Sequence, residues 1–238
     1  FGVEWRMLGR EETHHRLKSV RYLGALEQRD AFHFHPLRYA QGLAQVIADH
    51  GGRVYEDARV MSIQPEGEGY KVCTVGGEVS AQHVVLACGG YIEKLHPKLA
   101  RAVLPIATYV MATEPLGDKL RTAISGSAAV YDNRFAFDYY RPLTDTRILW
   151  GGRISILERS PQAVRELLYR DLLKVYPQLQ GTRIDYAWSG LMSYARHHMP
   201  QIGRTPDGLW HALGFGGHGV GPTTLAGEML AQAIAHQK

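Results

Sequence analysis

A mixed α/β chain of α+β type is predicted, with a large antiparallel sheet forming a layer apart from the first part of the chain. Three observations predict it. Val84-Val85-Leu86-Ala87-Cys88-Gly89-Gly90 is a continuous apolar run ending in two glycines, the pattern of a buried parallel strand that stops at a ligand crevice or, equally, of a core strand closed by a glycine turn. Between Leu104 and Gly152 strand-like segments follow one another through short turns, which antiparallel pairing allows and parallel pairing does not. Near the C-terminus an apolar run passes through a glycine-dense turn into a helical pattern, an arrangement that aims backbone N–H groups at an electron-rich ligand.

Taken in order, residues 1–30 read as a polar, exposed helical arm, with Glu11-Glu12 and Arg16-Lys18. His33-Phe34-His35-Pro36 stops one element and starts another, since proline suits a first helical turn. Tyr39, Leu43, Val46 and Ile47 give that helix an apolar face, and His50-Gly51-Gly52 ends it. Strand-like pieces follow at 53–55, 58–63, 70–75 and 83–87, with Gly67-Glu68-Gly69 and Gly76-Gly77 as turns. Leu104 to Thr113 is a long strand, and Ala128 to Tyr131, Arg134 to Arg141 and Arg147 to Gly152 are further strands. Phe135, Phe137 and Tyr139 alternate with Ala136, Asp138 and Tyr140, as on a sheet with two different faces. Pro161 to Tyr176 is a helix with Val164, Leu167, Leu168 and Leu172 on one side. Arg183 to Met192 and Leu209 to Leu213 are strands, and Thr223 to Ala235 is a helix.

Composition narrows the function classes. The 238 residues are 45% hydrophobic and 21% charged, with a net charge of +4, ordinary values for a globular protein. The basic residues are scattered and do not interleave with aromatics, so nucleic acid is not a predicted partner. No apolar run reaches the length of a membrane span. The 2 cysteines, Cys73 and Cys88, show no metal-ligand or disulfide spacing and fit a reduced, cytoplasmic location. The 12 histidines cluster only at His14-His15, His33/His35 and His197-His198. None has zinc-site spacing, so no metal is predicted. There is no Gly-x-Ser-x-Gly elbow and no P-loop. The chain opens Phe1-Gly2-Val3-Glu4 without Met, in the manner of a fragment.

The glycine turn spells Gly214-x-Gly216-x-x-Gly219, the dinucleotide fingerprint. That fingerprint needs a following helix and then a returning strand with an acidic residue. Here the sequence stops after the helix, so the turn is read as a helix N-terminus directed at a group that carries or develops negative charge. A close-packed turn is the alternative. His218, inside it, either hydrogen-bonds a ligand or braces the turn.

An ordered set of motifs carries a family resemblance. It comprises Val84 to Gly90, Ala112-Thr113-Glu114-Pro115-Leu116-Gly117, Asp138-Tyr139-Tyr140-Arg141, Tyr176-Pro177-Gln178-Leu179 and Arg183 to Gly190. It continues through Met199-Pro200-Gln201-Ile202-Gly203-Arg204 and Gly216 to Val220, running on to Leu225-Ala226-Gly227. The chain resembles the D-amino-acid-oxidase-like superfamily of FAD-dependent oxidoreductases, and within it the gamma-glutamylputrescine oxidoreductase branch.

That resemblance implies part of a three-layer FAD-binding domain at 1–103, an antiparallel-sheet substrate domain at 104–186, and a return to the FAD-binding domain at 187–238. It implies an enzyme oxidising a small amine or amino acid by hydride transfer to flavin, in which the cofactor carries the chemistry and the protein supplies position and electrostatics. Gly216, Gly217, Gly219 and Val220 would contact the flavin ring together with His218. Val60 would lie by the adenine, Ala87, Cys88 and Gly89 would face the cofactor crevice, and Trp188 and Gly190 would wall the flavin. Tyr139 and Arg141 would face the substrate, the arginine holding a carboxylate or serving as an ordinary strand arginine. Two departures from the family pattern stand out. The N-terminal Gly-x-Gly-x-x-Gly unit that holds the pyrophosphate is absent from these residues, so the fragment by itself would hold FAD weakly or not at all. Leu191-Met192-Ser193-Tyr194 also has no cysteine to tether a flavin, so FAD would be non-covalent. The alternative is a non-catalytic binding or assembly subunit derived from the same fold.

Overall fold

The computed structural model describes residues 2–236. The chain begins with β1 (Trp5–Leu8), α1 (Arg10–Leu17), β2 (Ala25–Gln28) and α2 (Pro36–Asp49). Next come β3 (Val60–Glu66), β4 (Gly69–Thr74), β5 (Glu78–Ala81), β6 (Val85–Leu86) and α3 (Pro97–Ala102). The middle holds β7 (Val103–Thr113), β8 (Val130–Tyr131), β9 (Tyr139–Pro142), β10 (Ile148–Ser155) and α4 (Pro161–Val175). The chain closes with β11 (Ile184–Ala195), β12 (Gln201–Arg204), β13 (Trp210–Leu213) and α5 (Val220–Ala235). The mixed α/β class is as the sequence predicts.

These elements form two compact units. One, the sheet unit, takes the chain up to Pro36 and residues 107–190; the other, the glycine-turn unit, takes residues 37–106 and those from Leu191 on. This division differs from the one drawn from sequence, which kept all of 1–103 together. Hydrogen bonds within the sheet unit account for the difference. Ser125 N donates to Arg16 O at 2.7 Å, Ser19 Oγ to Val175 O at 2.6 Å, and Gln178 Nε2 to Lys18 O at 3.0 Å.

The N-terminal segment is also not the helical arm expected of it. β1 and β2 pair antiparallel, Trp5 opposite Gln28 through Leu8 opposite Ala25, and only the eight-residue α1 is helical. The charge spacing that suggested a helix is shared between the two: Glu12 pairs Arg16 along α1, while Arg6 and Arg16 reach across to Glu27.

The sheet unit is built on five strands in the order β11-β7-β10-β9-β8, with β7, β10, β9 and β8 successively antiparallel. A bulge between Gly152 and Ile154 leaves Arg153 as the extra residue, at φ 64°; such a residue bends and twists its strand. There Arg153 donates twice to Asp171 of α4, each bond at 2.7 Å. Ser160 caps α4 by accepting from Ala163 N, with Pro161 in the first turn. Val164, Leu168, Leu172 and Val175 are buried along the helix, which packs on β10. At the centre Tyr140 stacks on Trp150 with ring centroids 4.3 Å apart, and Tyr176 meets both edge-on. The Tyr140 hydroxyl bonds those of Tyr22 and Tyr176 at 3.1 and 2.9 Å, so the three hydroxyls satisfy one another.

The strand expected from Arg134 starts only at Tyr139. Arg134 folds the preceding segment on itself by pairing with both Asp132 and Asp138, and Ala136 turns left-handed at φ 53°. The aromatic alternation at 135–137 therefore belongs to a loop.

The glycine-turn unit holds two three-stranded sheets. One is antiparallel, β3-β4-β5; the other runs β12-β13-β6, with β13 parallel to β6. Leu86, Ile92, Leu99, Val103, Leu209 and Leu213 form its buried cluster. The sequence reading missed β5, α3 and β12, and its strand at 53–55 is irregular. α2 forms where expected, yet none of its residues is buried.

Candidate functional site

Within the glycine-turn unit, two glycine segments arrive at one edge. β6 and β13 pair in parallel, Val85 opposite Trp210 and Leu86 opposite His211. Ala87-Cys88-Gly89-Gly90 leaves the carboxyl end of one, and Gly214 to Gly219 leaves the carboxyl end of the other. Ligand crevices of open α/β sheets lie at such ends.

The end of β11 fixes both segments. Ser193 is buried and bonds the turn twice: its Oγ accepts from Gly214 N at 2.9 Å and its carbonyl from Gly216 N at 2.7 Å. The Tyr194 ring lies under Gly216, where a Cβ would come within 2.9 Å of it, and Gly216 sits at φ 58°. Glycine suits that place on both counts, space and backbone angle. A Cβ on Gly90 would meet Leu191 Cβ at 2.8 Å and the Met192 carbonyl at 2.9 Å. Tyr91 completes the frame by accepting from Leu191 N at 2.9 Å.

α5 begins earlier than the sequence reading had it, at Val220, so Val220, Gly221 and Pro222 form its first turn. No side chain caps this helix, and Pro222 has no N–H to offer. The first-turn amides are left for an outside acceptor, in a field that favours negative charge. The turn is thus a floor of bare backbone beside an uncapped helix end. It suits a flat, electron-rich group that must approach the main chain closely.

The predicted residues divide between the units. Gly89, Gly216, Gly217, His218, Gly219 and Val220 are brought to the carboxyl edge of β6 and β13, with Gly217, His218 and Val220 exposed. Ala87 and Cys88 are there too, but Cys88 packs against the apolar cluster, and burial pushes its thiol pKa up, which keeps the sulfur protonated and unreactive. What Cys88 offers the edge is backbone. Val60 heads β3, in the other sheet, where it opposes Thr74; its neighbour Arg59 pairs with Glu93, just past this edge. Trp188 and Gly190 belong to the sheet unit, on one face of β11 by strand periodicity, with Trp188 exposed.

Tyr139 and Arg141 share the face of β9 opposite buried Tyr140 and Pro142. The Tyr139 ring lies flat over Gly151, where a Cβ would strike it at 2.2 Å. Phe137 packs edge-on against it at 6.0 Å, with Tyr131 5.8 Å further on, so an aromatic strip leads up to Arg141. Burial raises the Tyr139 pKa and lowers that of Arg141. The arginine Nη1 lies 2.8 Å from His33 Nδ1.

Sequence reasoning missed Ser193, Tyr194, Tyr91 and His33. Of these only His33 had a signal, the His-x-His-Pro run at the start of α2. A cavity of about 880 Å³ also opens in the sheet unit, lined among others by Arg16, Tyr22, Glu27, Ser125 and Asp132. None of the predicted residues lines it, and Arg16 and Glu27 are already paired at 2.5 Å.

Comparison with known proteins bears on this arrangement. A family model described as DAO, FAD dependent oxidoreductase, matches residues 1–233. The gamma-glutamylputrescine oxidoreductase of Escherichia coli (strain K12) is 39% identical over 218 residues, which cover 91% of this chain and 51% of that protein. A probable oxidoreductase of Haemophilus influenzae, OrdL, is 34% identical over 92% of this chain and 51% of its own length. The chain thus spans about half the length of these curated relatives. Among solved structures, glycine oxidase from Bacillus cereus matches with a TM-score of 0.83 at 20% identity, covering all of this chain and 66% of that one. It shows the same fold.

Proposed function

This chain belongs to the DAO family of FAD-dependent oxidoreductases, and we propose that it forms part of an enzyme oxidising a small amine or amino acid at the carbon bearing nitrogen. The observation that carries this is the bare-backbone floor at the carboxyl ends of β6 and β13, ending in the uncapped helix α5. The donor set fits a flavin. Gly216 and Gly217 admit a flat ring against the main chain, and the first-turn amides of α5 stabilise charge that builds at its pyrimidine edge. FAD held there would supply a hydride acceptor for the substrate carbon. In this reading residues 37–106 and 191–238 are the FAD-binding part and the sheet unit is the substrate part. The pyrophosphate-binding βαβ unit is supplied from outside these 238 residues, consistent with the half-length match to the relatives.

The chain's own residues then divide the work. Ser193 and Tyr194 hold the turn rigid, so the amides need no rearrangement when charge develops. Gly89 and Val60 would contact the cofactor, and His218 would hydrogen-bond its edge. Arg141 binds a substrate carboxylate, with Tyr139 and the aromatic strip flanking the rest of the molecule. A substrate carrying both an amine and a carboxylate suits that face, and the name of one relative, gamma-glutamylputrescine oxidoreductase, belongs to such chemistry. With no cysteine in 191–194, FAD is held without a covalent bond.

The test is purification of the intact protein. It is expected to be yellow and to release its flavin into the supernatant on heating. Flavin that stays with the precipitate would contradict the non-covalent site, and a colourless protein that takes up no added FAD would contradict the whole reading.

A further inference from the structure

Arg141 ends on an imidazole. Arg134, Arg147, Arg153 and Arg183 all end on carboxylates. Arg141 is half-buried, burial lowers its pKa, and its Nη1 lies 2.8 Å from His33 Nδ1. A guanidinium has only donors, so Nδ1 is the acceptor and carries no proton. The ring's other nitrogen, Nε2, lies 2.8 Å from the Ser127 carbonyl. A carbonyl only accepts, so the proton is on Nε2. The two contacts together fix a neutral imidazole in one tautomer.

This neutrality has a consequence for binding. A carboxylate beside Arg141 would orient it but also cancel its charge. A neutral acceptor orients it and leaves both the charge and the remaining donors for an incoming anion. The irregular segment ahead of α2 presents His33, and the Ser127 carbonyl, just before β8, secures it.

We propose that His33 is the positioning residue for Arg141: a neutral imidazole that aims the guanidinium at a substrate carboxylate without neutralising it. This role rests on the reading of Arg141 as a carboxylate anchor. It adds a residue that acts through the anchor and does not touch the substrate. An acidic residue in the same place would switch the anchor off.

The experiment combines a spectroscopic readout with a binding one. Long-range proton–nitrogen correlation spectra of the imidazole are expected to show His33 with Nε2 protonated and Nδ1 bare. Propionate, a simple monocarboxylate, is then titrated into wild type, His33→Ala, His33→Asn and His33→Asp. His33→Ala is expected to weaken propionate about tenfold, equivalent to about 1.4 kcal/mol. His33→Asn keeps an acceptor for Arg141 and a donor for Ser127, so it is expected to restore binding to about threefold of wild type or better. His33→Asp is expected to abolish binding in a protein that remains folded. A proton on Nδ1, or His33→Ala binding propionate as wild type does, would overturn the proposal; so would a wild-type protein that takes up no propionate. Failure of amine oxidation is read separately: FAD-loaded protein that no amine reduces removes the oxidase reading and leaves the tautomer and the propionate series intact.

Discussion

Two helices of this molecule carry the same sequence signature and meet different fates. α4 in the sheet unit and α2 in the glycine-turn unit each present an apolar stripe at helical spacing. On α4 the stripe is covered: Val164, Leu168 and Leu172 have no exposed surface at all. On α2 it is open, with Leu43 and Ile47 each 47% exposed and Val46 53%. The apolar residues Leu225 and Met229 of α5 are exposed as well. An amphipathic pattern states which face a helix would bury. It does not state what covers that face. The sheet unit has its cover in β10 and the Tyr140–Trp150–Tyr176 cluster, while the buried cluster of the glycine-turn unit centres on Leu86 and Leu213.

The largest effect should separate these two helices directly. Leu168→Ala is expected to destabilise by about 2–5 kcal/mol through lost burial and a cavity, whereas Leu43→Ala should stay within about 0.5 kcal/mol. Denaturant midpoints of the two variants check this, and an equal loss in both would break the contrast.

Next in size are the close approaches that each unit builds. Gly151→Ala forces a methyl into the Tyr139 ring, and overpacking of this kind costs about 1–3 kcal/mol. In the other unit, Ser193→Ala strands the Gly214 N–H, and an unmet buried donor costs about 1–3 kcal/mol. Thermal melts give both values. The readouts should otherwise differ: Gly151→Ala should disturb substrate-side binding, and Ser193→Ala flavin retention.

Acid should act on the sheet unit through Asp171. Burial alone would raise its pKa, but Arg153 and Lys174 more than offset this and hold it below the ordinary value. Its stabilisation is therefore complete above the unfolded carboxylate value of about 3.9 and is lost as pH falls through the lower, folded value. Urea midpoints in acid should fall more steeply for wild type than for Asp171→Asn, and parallel curves would count against the assignment. Smallest of all, Glu12→Ala should cost no more than about 1 kcal/mol, because its pairs with Arg6 and Arg16 are half-exposed. Salt should erase even that difference in melting temperature.

Much of this was legible in the sequence, for identifiable reasons. β7, α4 and β11 carry long periodic patterns with clear ends, and the strand–glycine turn–helix at 209–235 announces itself by its glycines. Other parts depend on pairings distant in sequence. β1 and β2 looked helical because Glu11-Glu12 and Arg16 fit a helix, and the cross-strand partner Glu27 lies far along the chain. Phe135, Phe137 and Tyr139 alternate as a strand would, but Arg134 pairing with Asp132 and Asp138 makes a loop of the first two. Ser193, Tyr194 and Tyr91 have no motif of their own; folding places them against the glycine segments. His33 shows in the sequence only as one of a pair of histidines, because its partner Arg141 lies more than a hundred residues on.

One measurement bears most directly on the proposed chemistry: anaerobic flavin reduction in the intact, FAD-loaded protein, followed by absorbance across a panel of amines and amino acids. The oxidised flavin band is expected to bleach with at least one of them and to return on reoxidation. Arg141→Ala is expected to lose the response to carboxylate-bearing substrates first. A protein that holds FAD yet stays oxidised through the whole panel would contradict amine oxidation as its function.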